Sequence, residues 1–234
     1  MIRKLLPSSL KLQIRIVQRR MSDWKNRNTL PIARSKVDII GTLQFSVDQV
    51  IKRTSLFENK VHNIQLAAQQ VAAITILSGE VFSFWETVGN PSEANGYKTG
   101  RNIVNGVLKE AIGGGLCQLS GIIYHTSLLA GLTIVERYNH TVDIYKEEDR
   151  FTPLGADATV VYGYKDLRVK NQLAVPIRFT FSFQPEQITC GIQSERSIQP
   201  KQLRFQRNES ASRREVVTFD ENTEEILAKS SYLI

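Results

Sequence analysis

The chain has 234 residues, of which 41% are hydrophobic and 23% are charged, and its net charge is +7 at pH 7. This length suits one large domain or two small ones, and the composition is that of an ordinary globular protein. The positive charge favours an anionic partner such as nucleic acid, anionic lipid or an acidic cell-wall polymer. Two cysteines, Cys117 and Cys190, do not make a disulfide framework.

The N-terminal residues 1–36 form a basic arm in which Asp23 is the single acid. Its alternating apolar residues fit a strand as well as an amphipathic helix. We expect the arm either to lie on an anionic membrane face, with Trp24 as a shallow anchor, or to be a solvated extension. Nucleic acid is a less suitable partner, because no aromatic residues are interleaved with the basic ones. The basic residues are Arg3, Lys4, Lys11, Arg15, Arg19, Arg20, Lys25, Arg27, Arg34 and Lys36.

Neither a membrane span nor a secretory signal is recognisable in the sequence. No stretch approaches the roughly 18 apolar residues that a spanning helix needs. The N-terminus lacks a long apolar core followed by a small-residue cleavage site. We therefore expect a cytoplasmic protein, located peripherally at the inner membrane face if the arm binds lipid.

The first half of the chain is predicted to contain a helix, a short strand and a hairpin. Apolar residues at helical spacing predict a helix over 61–73, and an aromatic run predicts a strand over 79–85. The dipeptide Asn105-Gly106 lies between two apolar pairs, which is a strong signal for a hairpin turn.

The central feature is the run Gly113-Gly114-Gly115-Leu116-Cys117-Gln118, which leads into an apolar helix predicted over 117–130. We interpret the glycines as a tight turn and a close backbone approach, rather than as packing residues. Cys117 then lies in the first helical turn, where free N–H groups and the helix dipole favour a thiolate. The alternative is a small buried cysteine in a core helix.

After this helix the pattern changes to the period of two that is typical of strands. Helices followed by antiparallel strands predict an α+β fold, with helices packed on one face of a mostly antiparallel sheet. The polar segment 196–234 contains a possible hairpin of 202–207 with 216–219. The earlier strands are predicted over 133–137, 141–145, 158–162, 167–170, 177–183 and 188–192.

A thiolate nucleophile needs a base, and the base needs an orienting group. His140 lies between two predicted strands, and Asp157 precedes the next one, so both could face the start of the central helix. Asp143 and Asp166 are alternative orienting acids, and Gln118 or backbone N–H groups could form an oxyanion hole. Cys, His and Asp in this order are also typical of transglutaminase-like and papain-like enzymes, which is an analogy only.

The alternatives to this catalytic interpretation are structural. His140 and Asp157 could be ordinary turn residues. His125, among apolar residues, is better explained as a core histidine, and His62 as a cap or a solvated residue. The sequence predicts no metal site, since it has no paired ligand spacing, and no cofactor, since it lacks both nucleotide-binding glycine motifs.

Taken together, the blocks at 63–68, 79–85, 96–97, 113–120, 135–140, 157–160 and 164–167 resemble the VanW family, in unbroken order from about residue 60 to 195. The family is named for a gene found in some vancomycin-resistance clusters, and its longer relatives are exported and carry cell-wall-binding modules. The resemblance implies a VanW-like domain over 37–195, of the short form, and a cell-wall peptide or precursor as partner. It supports Cys117, Gln118 and His140 as motif positions and leaves Asp157 or Asp166 as the motif acid.

Two functions follow from this resemblance and from the residues. One is a cysteine-dependent hydrolase or acyl-transferase that acts on peptidoglycan-related peptide bonds. The other is a non-catalytic binding module for cell-wall precursors at the membrane surface, in which Gly113, Gly114, Gly115 and Ser120 form a binding loop for an anionic group.

Overall fold

A computed structural model describes residues 6–104, 107–143, 147 and 150–234. Within these residues the chain has the predicted α+β fold, with four α-helices and twelve strands. The helices are α1 (Ser8–Lys25), α2 (Phe57–Ala72), α3 (Phe84–Val88) and α4 (Leu116–Leu129). The strands are β1 (Thr42–Val50), β2 (Thr75–Ile76), β3 (Val81–Ser83), β4 (Thr99–Val104), β5 (Val107–Ile112), β6 (Thr133–Glu136), β7 (Arg168–Lys170), β8 (Ile177–Gln184), β9 (Gln187–Ser194), β10 (Leu203–Glu209), β11 (Arg213–Asp220) and β12 (Ile226–Leu233).

The largest sheet has the strand order β1–β9–β8–β2, and all of its neighbours are antiparallel. Its apolar side chains, including Phe179, Cys190 and Ile192, lie on one face and are fully buried. Helices α2 and α4 pack against these strands, which confirms the prediction of helices on an antiparallel sheet. The remaining strands form three smaller sheets, β10–β11–β12, β3–β7–β6 and β4–β5, rather than extending the first.

Helix α4 is the centre of the fold. Almost every residue from Leu116 to Leu128 is buried, because the helix is covered on several sides. It ends at Ala130 and is followed by Gly131 in the left-handed conformation (φ 69°), as predicted for a helix C-terminus. A helix held on all sides fixes the position of its first turn, where Cys117 lies.

Several predicted elements differ in the structure. Only the central part of the aromatic run 79–85 is a strand, because the Ser83 side chain accepts a hydrogen bond from the Glu86 N–H and begins α3. Residues 158–160 are buried, but the predicted strand 158–162 forms only an isolated bridge, between Val161 and Lys165. In the predicted strand 141–145 the described part forms only a bridge between Val142 and Leu233, and residues 144 and 145 lie outside the described residues.

Strands β4 and β5 form the predicted hairpin, with Val104 opposite Val107, and its Asn105-Gly106 turn lies outside the described residues. Helix α2 begins one turn before the predicted residue 61. Strands β10 and β11 pair as an antiparallel hairpin, and β12 adds to it as a third strand.

The basic arm contains helix α1, which is docked on the domain. Arg19 donates to both carboxylate oxygens of Glu136, at 3.1 and 2.7 Å, and Arg168 donates to both of Asp23, at 2.5 and 2.9 Å. Leu12 packs against Gly163, where a Cβ would lie only 2.5 Å from its Cδ1 atom. In the part of the chain that the structure describes, no helix is both long and apolar enough to cross a membrane.

Candidate functional site

The glycine run makes the turn that positions Cys117. Gly113 and Gly115 both have positive φ, 82° and 104°, which favours glycine. Gly114 touches the backbone of Gly100, since a Cβ at position 114 would lie 2.3 Å from the Gly100 carbonyl carbon. The turn is therefore tight and approaches another backbone closely, as predicted. Our interpretation that the glycines are not packing residues is wrong, because Gly114 packs against Gly100.

Buried Asn63, on α2, fixes this turn. Its side-chain amide donates to the carbonyl oxygens of Gly114 and Lys98, at 3.0 and 2.8 Å, and its Oδ1 accepts from the Lys98 N–H at 2.8 Å. One side chain thus joins α2, the chain before β4 and the glycine turn. Because all three contacts are short and the one to Gly114 is buried, they fix the start of α4.

Cys117 is the second residue of α4 and is partly exposed at the wall of a cavity of about 130 Å³. Its sulfur lies 3.5 Å from the Thr159 hydroxyl and 3.7 Å from the Val160 carbonyl oxygen. The side chain of His140 lines the same cavity and acts on the sulfur electrostatically, lowering the pKa of the thiol. A sulfur in the core would lack this access, so the structure does not support the alternative of a buried core cysteine.

Asp157 holds His140. It is one of the two residues, with Asp166, that the family resemblance left open as the motif acid. The ring Nδ1 and the backbone N–H of His140 both lie 2.7 Å from Asp157 Oδ2. Nδ1 is therefore the donor to the carboxylate, which leaves Nε2 for the sulfur of Cys117. The cysteine, imidazole and carboxylate are arranged in the order that a nucleophile, its base and the orienting group require.

The other oxygen of Asp157 is bound by two residues that the sequence prediction did not include. Arg137 donates through Nη2 at 3.0 Å, and the Tyr232 hydroxyl, from β12, donates to the same Oδ1. The Arg137 guanidinium also donates to the Asp157 carbonyl oxygen at 2.7 Å and lies over the ring of Tyr124, 4.6 Å from its centroid. Hydrogen bonds thereby hold both carboxylate oxygens of Asp157.

These contacts favour a charged cysteine–histidine pair. Burial raises the pKa of the Cys117 thiol, but the hydrogen bond to His140 and its positive charge outweigh burial and lower that pKa. Burial lowers the pKa of His140, but its hydrogen bonds to Asp157 and Cys117 raise it to about 10. Burial also disfavours the Asp157 carboxylate, yet His140 and Arg137 hold its pKa well below the usual range. Both shifts favour the thiolate–imidazolium form of the pair over the neutral thiol and imidazole.

The other predicted acids lie elsewhere. Asp166 is buried in a separate cluster, where it accepts from the Ser83 hydroxyl at 2.6 Å and from Arg168 Nε at 2.9 Å. Asp143 lines the cavity but is bound by Arg150 and Arg214. Neither acid contacts His140, so among the described residues the structure brings Asp157 alone to the imidazole.

Gln118 and Ser120 have mainly structural contacts. One N–H of the Gln118 side-chain amide donates to the Val50 carbonyl oxygen at 2.9 Å, and its Oε1 has no partner among the described residues. The Ser120 hydroxyl is buried and lies 2.7 Å from the Ala158 carbonyl oxygen and 3.1 Å from that of Cys117. Ser120 therefore ties α4 to the segment that carries Asp157.

The two remaining histidines lie away from Cys117. His125 is partly buried on α4 against the ring of Phe205, and its burial lowers its pKa to about 4. This agrees with our interpretation of a core residue. The ring of His62 lies 2.9 Å from the Gly96 carbonyl oxygen in an exposed contact. Over the described ranges, no three His, Cys, Asp or Glu side chains are placed so that they could hold a metal ion.

Comparison with known proteins gives the family. Residues 59–193 match the family described as "VanW like protein". The chain is 40% identical over 114 residues to the Vancomycin B-type resistance protein VanW of Enterococcus faecalis (strain ATCC 700802 / V583), covering 49% of this chain and 42% of that protein. It is 39% identical over 146 residues to the protein YoaR of Bacillus subtilis (strain 168), covering 61% of this chain and 46% of that protein. The chain thus matches less than half the length of either relative.

No solved structure matches the chain, so the transglutaminase-like or papain-like arrangement stays a prediction. The family match begins inside α2 and ends in β9, so it spans the glycine turn, Cys117, His140 and Asp157. It covers more than half of the chain, which therefore belongs to the VanW-like protein family.

Proposed function

We propose that this protein is a cysteine-dependent acyl-transfer enzyme that cleaves or exchanges an amide bond. The observation that supports it best is the sulfur of Cys117 beside an imidazole that Asp157 orients, at the wall of an open cavity. A structural cysteine needs neither an adjacent imidazolium nor access to a cavity. Both features are what a nucleophilic thiolate requires.

In the first step, the Cys117 thiolate forms a bond to the carbonyl carbon of the amide. The C–N bond then breaks as the His140 imidazolium donates its Nε2 proton to the leaving nitrogen, and a thioester remains. The negative oxygen that develops needs donors. The backbone N–H of Cys117 has no acceptor among the described residues and lies at the start of α4, so we assign it this role.

In the second step, water attacks the thioester carbon while neutral His140 accepts one of its protons. The C–S bond breaks, the acid leaves, and the thiolate and imidazolium are restored. An amine in place of water gives a new amide, so hydrolase and acyl-transferase use the same residues. The family resemblance supports peptidoglycan-related peptides as substrates, and one relative is named a vancomycin resistance protein.

The test incubates the protein with muropeptides and follows both products and protein by mass spectrometry. We expect cleaved or exchanged peptides, and a transient mass increase on the protein that equals the acyl group. Cys117→Ser should abolish both, whereas Cys190→Ala, which removes the other thiol, should keep both. If Cys117→Ser still binds muropeptides and the native protein never turns them over, the protein is a binding module.

We also propose that α1 holds the protein on an anionic membrane surface. The helix is docked through Leu12, Ile16, Arg19 and Asp23, and its opposite side carries an exposed apolar stripe. The stripe residues follow each other at intervals of three and four, so they share one side of the helix. They are Leu10, Ile14, Val17, Met21 and Trp24, and Trp24 is 65% exposed.

The basic residues beside this stripe favour anionic lipid. By helical spacing, Lys11 and Lys25 lie on one flank and Arg20 on the other. An apolar stripe between basic flanks fits the interface of an anionic bilayer, where each cation contributes about 1 kcal/mol. The docked side, in contrast, holds its charges in ion pairs with the domain.

Vesicle flotation tests this proposal with the full chain. We expect binding to phosphatidylglycerol vesicles, weaker binding at high salt, and little binding to phosphatidylcholine. The double variant Val17→Ser/Met21→Ser should lose it, whereas Ile40→Ser, which removes a 92% exposed apolar residue outside α1, should not. The proposal is overturned if the double variant binds the vesicles as well as the native protein does. It is also overturned if the native protein is a dimer that the double variant dissociates, because the stripe is then an interface between two copies.

A further inference from the structure

The cavity beside Cys117 has one side that the proposed reaction does not use. That side is lined by Gln49 from β1, Lys60 from α2 and Arg101 from β4. The three come from different elements that meet at the glycine turn. Their shared position at a cavity wall, next to a nucleophile, makes them candidates for holding the substrate.

The glycine run brings these cations close to Cys117. A Cβ on Gly115 would lie 2.9 Å from Cγ of Lys60, and a Cβ on Gly114 would lie 2.7 Å from the backbone nitrogen of Arg101. Any larger side chain at either position would therefore push Lys60 or Arg101 away. The glycines two and three residues before Cys117 thus pack against the residues that carry these two cations, and both cations line the cavity of Cys117.

Neither cation is neutralised within the described part of the chain. No carboxylate there forms an ion pair with Lys60 or Arg101, whereas both acids that line the cavity, Asp143 and Asp157, are already bound by arginines. Burial and the charge of Arg101 lower the pKa of Lys60 to about 8. Two adjacent cations without an anion repel each other, and an anionic ligand between them would relieve this.

Gln49 provides the independent observation. Its side chain is 3% exposed and lines the cavity, yet neither its amide nitrogen nor its oxygen has a partner among the described residues. The Oε1 of Gln118, in the same wall, has none either. Buried amides without partners are costly, so a ligand with both acceptors and N–H donors is expected there.

We propose that Lys60, Arg101 and Gln49 form a subsite for a free carboxylate on a peptide substrate. The carboxylate lies between the two cations, and substrate N–H groups donate to the free oxygens of Gln49 and Gln118. A guanidinium matches the two oxygens of a carboxylate, and the amide oxygens match peptide N–H groups. This inference rests on the proposed function, and it makes the substrate a peptide with a carboxylate near the amide that Cys117 attacks.

Two alkylating agents of similar size test the subsite without a known substrate. Iodoacetate carries a carboxylate and iodoacetamide does not, and both alkylate a thiolate with loss of iodide. The measured quantity is the ratio of their rate constants at Cys117, followed by mass spectrometry. Lys60→Met and Arg101→Met should each lower the ratio by about tenfold, the effect of a hydrogen bond to a charged group. Lys36→Gln, which removes an exposed cation outside the cavity, should leave it unchanged.

A second measurement uses protection from iodoacetamide. N-acetylglycylglycine should slow alkylation of Cys117, and its C-terminal amide should not. The subsite is overturned if neither variant changes the ratio of the iodoacetate and iodoacetamide rate constants. It is also overturned if inorganic phosphate protects Cys117 and the acetyl peptide does not. If Cys117 fails to react with iodoacetamide at all, the proposed function fails instead, so the two failures are distinguishable.

Discussion

The substitution Asp157→Asn tests the charge arrangement of the site most directly. Asn has the shape of Asp and can still accept from Nδ1 of His140, but it lacks the negative charge that stabilises the imidazolium. A hydrogen bond to a charged group contributes about 1.5–3 kcal/mol. Since 1.4 kcal/mol is a factor of ten, the proportion of thiolate–imidazolium pair should fall by about 10- to 100-fold.

The assay measures the rate of iodoacetamide labelling at Cys117 as a function of pH. In the native protein we expect fast labelling that is constant from mildly acidic to mildly alkaline pH, because His140, with a pKa of about 10, keeps the sulfur ionised. In Asp157→Asn the rate at neutral pH should fall and should rise with pH as in a free cysteine. Cys190 is the internal control, since it is buried and burial raises its pKa to about 12.

The refuting result is clear. If native Cys117 labels with the pH dependence of a free thiol, and Asp157→Asn changes nothing, then His140 does not activate the sulfur. A loss of folding in Asp157→Asn would be seen by circular dichroism, and Tyr232→Phe then serves as the second variant. It removes one hydrogen bond from the same carboxylate and should lower the labelling rate less.

Three further predictions concern pH and stability. Catalysis should disappear as the pH rises through about 10, because the raised pKa of His140 means that the leaving-group proton is present below that pH and lost above it. Gly114→Ala should lower the free energy of unfolding, measured in urea, by about 1–3 kcal/mol through overpacking. Gly121→Ala should leave it unchanged, because a Cβ there would lie 3.6 Å from its nearest neighbour, the Ala158 backbone nitrogen. Asp166→Asn should make α1 more sensitive to proteolysis, because it weakens the ion pairs of Arg19 and Arg168, and should leave Cys117 labelling unchanged.

Much of the secondary structure could be predicted because it depends on local patterns. The apolar runs that became α2, α4, β8 and β9 have the periods of helices and strands, and the glycine turn marks the start of α4. Short elements were harder. Ser83 ended a predicted strand by capping a helix, and the segment 158–162 forms only the bridge between Val161 and Lys165, although residues 158–160 are buried. In both segments, contacts with residues elsewhere in the chain outweighed the local pattern of apolar residues.

The choice between Asp157 and Asp166 shows where local reasoning ends. Both acids precede buried apolar residues, and nothing in their neighbouring residues tells them apart. Asp157 reaches His140, 17 residues earlier in the chain, and Tyr232, 75 residues later. Asp166 instead meets Arg19, from 147 residues earlier.

The sequence alone thus determined the α+β class, the helix that carries Cys117 and its position in the first turn, since each depends on residues close together in the chain. The tertiary structure decided which acid meets the histidine, that β12 supplies Tyr232, and that Lys60 and Arg101 line the same cavity as Cys117. The physical reason is that periodicity shows which side of an element is apolar, but not which other element will cover it. Charged and polar partners are chosen only when those elements pack.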